Sequence, residues 1–261
     1  MTLDDQTIDD IAESLYEAYR SGEPVAKLTD EYDFDVADAY AIQSRVVDSH
    51  VADGASVVGH KVGLTSEGIQ TQLGVDEPDF GRLLDTMFVE GGSVPAGDLI
   101  EPRVEPEVGF LMAETLEPPV TYLDVLEATR GVLPVLEIID SRVRDWDIDI
   151  EDTVADNASS ALYLTGEAVH DVDGRDLSLE GVKLHRNGTV ADAGVGSAVL
   201  GHPARAVAWL ANTLDEMDQR IEAGNLVLSG SLTPALDIAA GDVLTAEFTS
   251  IGSVTTRVGE N

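Results

Sequence analysis

The chain has 261 residues, 43% of them hydrophobic, enough for one substantial core or one core with a small appendage. Fifty Asp and Glu stand against fifteen Lys and Arg, and the net charge of −35 repels nucleic acid and anionic membranes. Without cysteine it has no disulfides, thiolate nucleophiles or cysteine-based zinc sites, and no run of about 18 apolar residues predicts a membrane span. In chain order, Asp4 to Tyr19 sets Ile8, Ile11, Leu15 and Tyr19 on one helical stripe, ended by Gly22 and Pro24. Asp35 to Val51 repeats the pattern through Ala37, Tyr40, Ala41 and Val47, with Asp35 as the cap. Val57 to Leu64 is a short apolar run with glycines, suited to a buried strand. Thr65 to Leu73 reads as a short helix and Asp76 to Gly81 as a loop. Strands are predicted at Met87–Val89, Val104–Met112, Val135–Ser141, Ala161–Gly166, Val182–Arg186, Leu226–Ser229, Val243–Phe248 and Ser253–Val258. Helices are predicted at Tyr122 to Arg130 and at Pro203 to Arg220, the second with Pro in its first turn. Asn187-Gly188 is a hairpin turn leading into a strand that begins at Thr189.

Many strands with few, irregular helices predict an α+β fold: a large mixed β-sheet with the N-terminal helices packed on it. Residues 1–55 are expected to form the helical segment and 56–261 the mixed-sheet part of one continuous unit. The N-terminus is acidic and lacks the basic and apolar regions of a signal peptide, so the cytoplasm is the expected location. The acids are spread along the chain and hydrophobic periodicity persists between them, which excludes disorder and points to adaptation to a salt-rich cytoplasm. There is no P-loop, no complete dinucleotide fingerprint, no Gly-x-Ser-x-Gly elbow and no His-Glu-x-x-His.

With so many acids, only those in apolar surroundings are informative. Glu105 and Glu107, in Arg103-Val-Glu-Pro-Glu-Val-Gly-Phe-Leu-Met112, would point to one face of a strand. Pro106 between them favours an edge or a bulge, so the pair is either an exposed acidic edge or a metal site. Glu137, in Val135-Leu-Glu-Ile-Ile139, has little room for a solvated face; it pairs with Arg142 or Arg103 or binds a metal. An all-carboxylate set selects a hard ion, Mg²⁺ or Mn²⁺. Lys61 is one of three lysines and lies in an apolar stretch. It is either a core-edge lysine paired to an acid, or a cation near an anionic substrate or proton donor with a lowered pKa. Asp79 reads as a loop acid, and Asp156-Asn-Ala-Ser-Ser160 as a helix cap or a carboxylate-binding cluster.

These residues fall in longer signatures: Gly59-His-Lys-Val-Gly-Leu-Thr65, Gln72-Leu-Gly-Val-Asp-Glu-Pro-Asp-Phe-Gly81, Arg103-Val-Glu-Pro-Glu107, Leu133-Pro-Val-Leu-Glu-Ile-Ile-Asp-Ser-Arg142, Asp152-Thr-Val-Ala-Asp-Asn-Ala-Ser159 and Leu200-Gly-His-Pro203. In order from Gly59 to the end, they resemble the 2-keto-4-pentenoate hydratase (2-hydroxypenta-2,4-dienoate hydratase) family of the fumarylacetoacetate hydrolase superfamily. The resemblance implies a sheet curled on itself with the site in its mouth. It implies Mg²⁺ or Mn²⁺ on Glu105, Glu107 and Glu137, and an active-site lysine and aspartate at Lys61 and Asp79. Ser160 is an expected contact for the substrate carboxylate. The implied ligand is a small 2-oxo or 2-hydroxy-dienoic acid. The implied partners are further copies of the chain and a downstream aldolase or decarboxylase. Related members decarboxylate 2-oxohex-3-enedioate (4-oxalocrotonate) with nearly the same motifs, so hydration and decarboxylation both stand; a non-catalytic partner subunit is a third reading.

Overall fold

Two amphipathic helices open the chain in the structure, a computed structural model that describes residues 3–259 apart from 67, 69, 72 and 73. Helix α1 (Asp5–Ser21) is capped by Asp4 and ends on Gly22 in the left-handed conformation that glycine tolerates best. A short helix α2 (Leu28–Glu31) follows, then α3 (Val36–Ala52), whose cap Asp35 accepts from the backbone of Ala37 and Asp38. Ile8, Ile11 and Leu15 of α1 meet Ala39, Ile42 and Val46 of α3 in a small core. That core is completed by Val154 and Ala155 of α5 (Ile150–Ala155). Gln43 ties α3 to the sheet, donating to the carbonyls of Phe80 and Val154 at 2.9 Å each. None of the described helices is long and apolar enough to cross a membrane.

The strands build two sheets. The larger runs in the order β2 (Asp79–Leu84), β1 (Val57–Gly63), β9 (Leu226–Ser231), β4 (Arg103–Met112), β5 (Thr129–Ile139), β6 (Ser160–Thr165), with the two-residue β10 (Leu236–Asp237) beside the start of β4. The smaller runs β3 (Ser93–Val94), β12 (Ser253–Val258), β11 (Val243–Phe248), β7 (Gly181–Arg186), β8 (Thr189–Val195). Pairing is antiparallel except for β1 with β9 and β3 with β12, so the sheet is mixed as expected. Alternation along β4 divides the molecule. Val104, Val108, Phe110 and Met112 enter the main core with Val182, Leu184, Leu244 and Ala246 of the second sheet and Leu210 and Leu214 of α6 (Pro203–Asp215). The opposite face carries Glu105 and Glu107. Asn187 and Gly188, at φ 54° and 77°, make the predicted hairpin between β7 and β8.

Several expectations are corrected. Strand β4 is central, flanked by β9 and β5, and the acidic-edge alternative for Glu105 and Glu107 falls with it. Pro106 is tolerated because its carbonyl faces the frayed end of β9, accepting from Leu232 N at 3.0 Å, so the missing N–H lies on a side where the ladder already shifts register. Asp79 is not in a loop: it begins β2, buried throughout, because Phe80, Leu83 and Leu84 outweigh the turn-rich residues before it. The segment at Met87–Val89 forms a 3₁₀ turn over Asp85–Met87. Strand β5 starts earlier than expected, absorbing Thr129 and Arg130 from the expected helix, which ends as α4 (Tyr122–Ala128). Helix α6 stops at Asp215, short of Arg220. The expected helix from Thr65 to Leu73 lies partly outside the described residues.

Candidate metal centre and active site

The site forms on the second face of the large sheet. The spacing of Glu105 and Glu107 on β4 aims both side chains to it, and Glu105 pairs in register with Glu137 of β5. One carboxylate oxygen from each of the three lies within 4.8 Å of the others. Glu107 and Glu137 are 0% exposed, so water cannot solvate them, while Glu105 is half-buried and marks the open side. Lys61 comes from β1 and Asp79 from the adjoining end of β2, opposite Gly63. A Cβ on Gly63 would meet Asp79 Oδ1 at 2.2 Å and Lys61 Nζ at 3.2 Å, so glycine is what lets these two side chains close over the strand.

The contacts of the site are few and specific. Lys61 Nζ donates to the Ala158 carbonyl at 3.1 Å and stands 3.7 Å from Glu137 Oε2. Ser160 Oγ donates to Glu137 Oε1 at 2.8 Å. Gly230 N donates to Glu107 Oε2 at 2.7 Å; Gly230 has φ 104°, and its backbone turns the N–H onto the carboxylate. Glu107 Oε1, Glu137 Oε2 and both oxygens of Asp79 are buried without a hydrogen bond. Four carboxylates surround one lysine. Three carboxylates converging within 4.8 Å, with an orphaned buried oxygen on Glu107 and another on Glu137, fit a hard divalent cation, the partner that removes both their repulsion and their lack of donors.

The electrostatics follow from that imbalance. Burial pushes Glu105 up to about 7, opposed by Lys61 and Arg103 and aided by Glu137 and Asp79. Because it keeps some contact with water, Glu105 is the member of the trio that solvent stabilises most readily as an anion. Burial also raises Glu107, and Glu137 and Glu105 add to the effect. Asp79 is raised by burial, with Lys61 opposing, so it is a carboxyl group that can hold a proton. Burial alone would lower Lys61, but Glu137, Asp79, Glu105 and Glu107 outweigh it and hold the ammonium above its ordinary value. With the four carboxylates ionised, the surrounding anions win over desolvation. Neutralising the glutamates would withdraw much of that support.

Of the sequence candidates, Lys61, Asp79, Glu105, Glu107, Glu137 and Ser160 converge here. The ion pairs offered for Glu137 do not form. Arg142 pairs with Asp156. Arg103 pairs with Asp237 at 3.0 Å and lies over the Trp146 ring at 4.1 Å. His60 points to the face opposite Lys61, where burial pushes it down to about 3, and it does not enter the site. The Ala158 carbonyl and the Gly230 N–H carried no signal in the sequence, since any residue supplies them and only the fold aims them.

The fold and this carboxylate–lysine site define a class. A family profile described as fumarylacetoacetate (FAA) hydrolase C-terminal matches residues 49–259, and the chain belongs to that family. Within it, the chain is 45% identical over 260 residues to the 2-keto-4-pentenoate hydratase of Paraburkholderia xenovorans, covering 98% of this chain and 96% of that one. It is 46% identical over 244 residues to the 2-hydroxyhexa-2,4-dienoate hydratase of Comamonas testosteroni, covering 92% of each. The 4-oxalocrotonate decarboxylase of Pseudomonas putida G7, solved with magnesium and adipate, superposes with a TM-score of 0.95 at 36% identity, covering 98% of this chain and 99% of that one.

Proposed function

We propose that this chain is a metal-dependent hydro-lyase that converts 2-hydroxypenta-2,4-dienoate to 4-hydroxy-2-oxopentanoate. The observation that carries this reading is the convergence of three carboxylates, two of them with unsatisfied buried oxygens, beside the buried Lys61 and Asp79. The hydratase relatives and the magnesium in the decarboxylase structure support it. Glu105, Glu107 and Glu137 would hold Mg²⁺ or Mn²⁺. When bound, such an ion supplies Lewis-acid stabilisation of negative charge on a 2-oxo oxygen.

The rest falls to the chain's own side chains. Lys61, held as an ammonium, binds the anionic oxygens of the acid and keeps the C2 oxygen beside the trio. Asp79 moves the protons. In the first step the C2 hydroxyl releases its proton to solvent, the double bonds shift to C2=O and C3=C4, and C5 gains a proton from the Asp79 carboxyl, leaving it a carboxylate. In the second step the Asp79 carboxylate takes a proton from the water that adds its oxygen at C4, and C3 takes a proton from solvent; Asp79 ends protonated as it began, and the net change is one water added. Ser160, whose hydroxyl hydrogen goes to Glu137, can donate to the substrate carboxylate only by releasing Glu137. The product is an aldol of a 2-oxo acid, so the reaction class that consumes it is C3–C4 cleavage by an aldolase.

The structural likeness to the decarboxylase keeps carbon dioxide loss from 2-oxohex-3-enedioate as the second reading. Product analysis with both acids in parallel, with Mg²⁺ and Mn²⁺ at high salt, decides between them. The expected result is metal-dependent formation of 4-hydroxy-2-oxopentanoate, abolished by chelator. Faster release of carbon dioxide from the diacid than hydration of the dienoate would reverse the assignment, and turnover that survives chelator would remove the metal from it.

A further inference from the structure

We propose that the turn Asp156–Ser160, locked by Arg142, keeps Glu137 available as a metal ligand by preventing it from closing on Lys61. Arg142 and Ser160 are thus positioning residues of the centre; this rests on the metal-dependent reading above.

A buried ammonium and carboxylate with nothing else nearby close to a charge-assisted hydrogen bond of about 2.8 Å. Here the pair stands at 3.7 Å. Two groups from one turn hold it open. The Ala158 carbonyl takes Lys61 Nζ at 3.1 Å, and Ser160 Oγ takes Glu137 Oε1 at 2.8 Å. Glu137 Oε2 is left without a hydrogen bond, and Glu137 is one of the three glutamates whose carboxylates converge.

The turn has no intrinsic reason to adopt this shape. Asn157, Ala158 and Ser159 are successive non-glycine residues at φ 53°, 51° and 51°, a left-handed run that L-residues enter only under constraint. The constraint is visible on both sides. The Arg142 guanidinium donates to Asp156 Oδ1 and to the carbonyls of Asp140, Asp156 and Ser160, and Arg142 N donates to Asp156 Oδ2. Across the turn, the Asn157 side chain accepts from Arg82 N at 2.8 Å and donates to Arg82 O at 2.9 Å, fixing it to β2, the strand that carries Asp79. Arg142 and Asp156 are both nearly fully buried, and their hydrogen bonds and ion pair go to each other and to the turn and its flanks, not to the three glutamates. Such an ion pair adds little to stability relative to apolar packing, whereas the hydrogen bonds around it dictate one backbone path. One planar, multidentate cation therefore sets the positions of an acceptor for Lys61 and a donor for Glu137.

The test is Mn²⁺ binding to the purified full chain, followed by the electron paramagnetic resonance of free Mn²⁺, with metal-free thermal melting measured beside it. Ser160→Ala should weaken Mn²⁺ binding about 10-fold or more while leaving the metal-free melt in place. Arg142→Lys, which keeps the charge but loses the fork, should weaken it at least as much; if it does not fold, Ser160→Ala decides alone. Binding in Ser160→Ala within about twofold of the parent overturns the proposal, as does a weakening matched by an equal loss of metal-free stability. A parent chain that binds no Mn²⁺ would instead sink the metal-dependent reading itself.

Discussion

Glu137 shows how much of a residue's meaning comes from its neighbours. In the strand it is one acid among fifty; in the site it is 0% exposed, with one oxygen held by Ser160, the other without a hydrogen bond, and Glu105 and Glu107 beside it. Glu137→Gln should lower Mn²⁺ affinity by more than the roughly 10- to 100-fold typical of outer partners. Turnover should fall with it, while the melting temperature of the metal-free protein stays within about 2 °C. Binding isotherms and melts check this, and a variant that keeps its metal sinks the ligand assignment. Asp79→Asn removes a proton shuttle without changing shape, so kcat should drop by roughly 100-fold or more with little change in KM; steady-state kinetics read the split. A titration outside the site belongs to α3. His50 packs edge-on between Tyr16 and Tyr19, and burial pushes it down to about 4. The folded state therefore refuses a proton that the unfolded chain accepts below about pH 6.5. The stability is intact above that pH and declines as pH falls from about 6.5 to about 4, by up to roughly 2 kcal/mol after allowing for solvent screening. Urea melts of His50→Phe and the parent, one set at neutral pH and one near the folded value, isolate it, because protonation of the surface acids is common to both; equal losses would show that His50 does not titrate this way.

At the scale of elements, local chemistry placed α1, α3, the hairpin and most of the strands, and tertiary packing reset the ends of α4 and α6 and the place of Asp79. Asp35 caps α3 through two backbone N–H groups. Asp35→Ala should cost about 1 kcal/mol and lower the melting temperature by roughly 2–4 °C without affecting turnover; calorimetry measures it, and an unchanged melt would mean that packing of α3 on α1 makes the cap redundant. The i, i+2 rule applied to β4 needed only its own residues, so the convergence of Glu105 and Glu107 was legible. Asp79 was misread because Asp76-Glu-Pro-Asp resembles a loop until β1 supplies a partner for the run that follows. Pro106 suggested an edge, since a proline in a ladder removes a donor. What rescued it was the register shift where β9 leaves β4, a feature of two distant strands.

Over the whole molecule, charge outweighs every other feature of the composition. A net −35 on 261 residues must repel itself in dilute buffer, where the Debye length is long, and far less in concentrated salt, where it shrinks to about 3 Å at about 1 M. The melting temperature should rise by on the order of 10 °C between dilute buffer and multimolar KCl, judged against the few degrees that about 1 kcal/mol moves a domain of this size. Melts across a KCl series test it, and a flat series would mean that the acids are tolerated and not adapted to salt.

The family resemblance carried by the longer signatures, and not periodicity, singled out Lys61 and Asp79; composition and pattern by themselves determined the class of fold, the direction of the apolar faces, the absence of thiol chemistry and the shared face of Glu105 and Glu107. These properties depend on residue type and on the short periodicities of strand and helix, which a linear chain preserves. Only the tertiary structure decided which cation meets which acid. Arg142 went to Asp156 and Arg103 to Asp237, while Lys61 was left facing Glu137 across 3.7 Å. It also aimed the Ala158 carbonyl and the Gly230 N–H into the site. Ion pairing depends on distance through space between residues far apart in the chain, and backbone donors and acceptors are the same at every position until the fold points them somewhere.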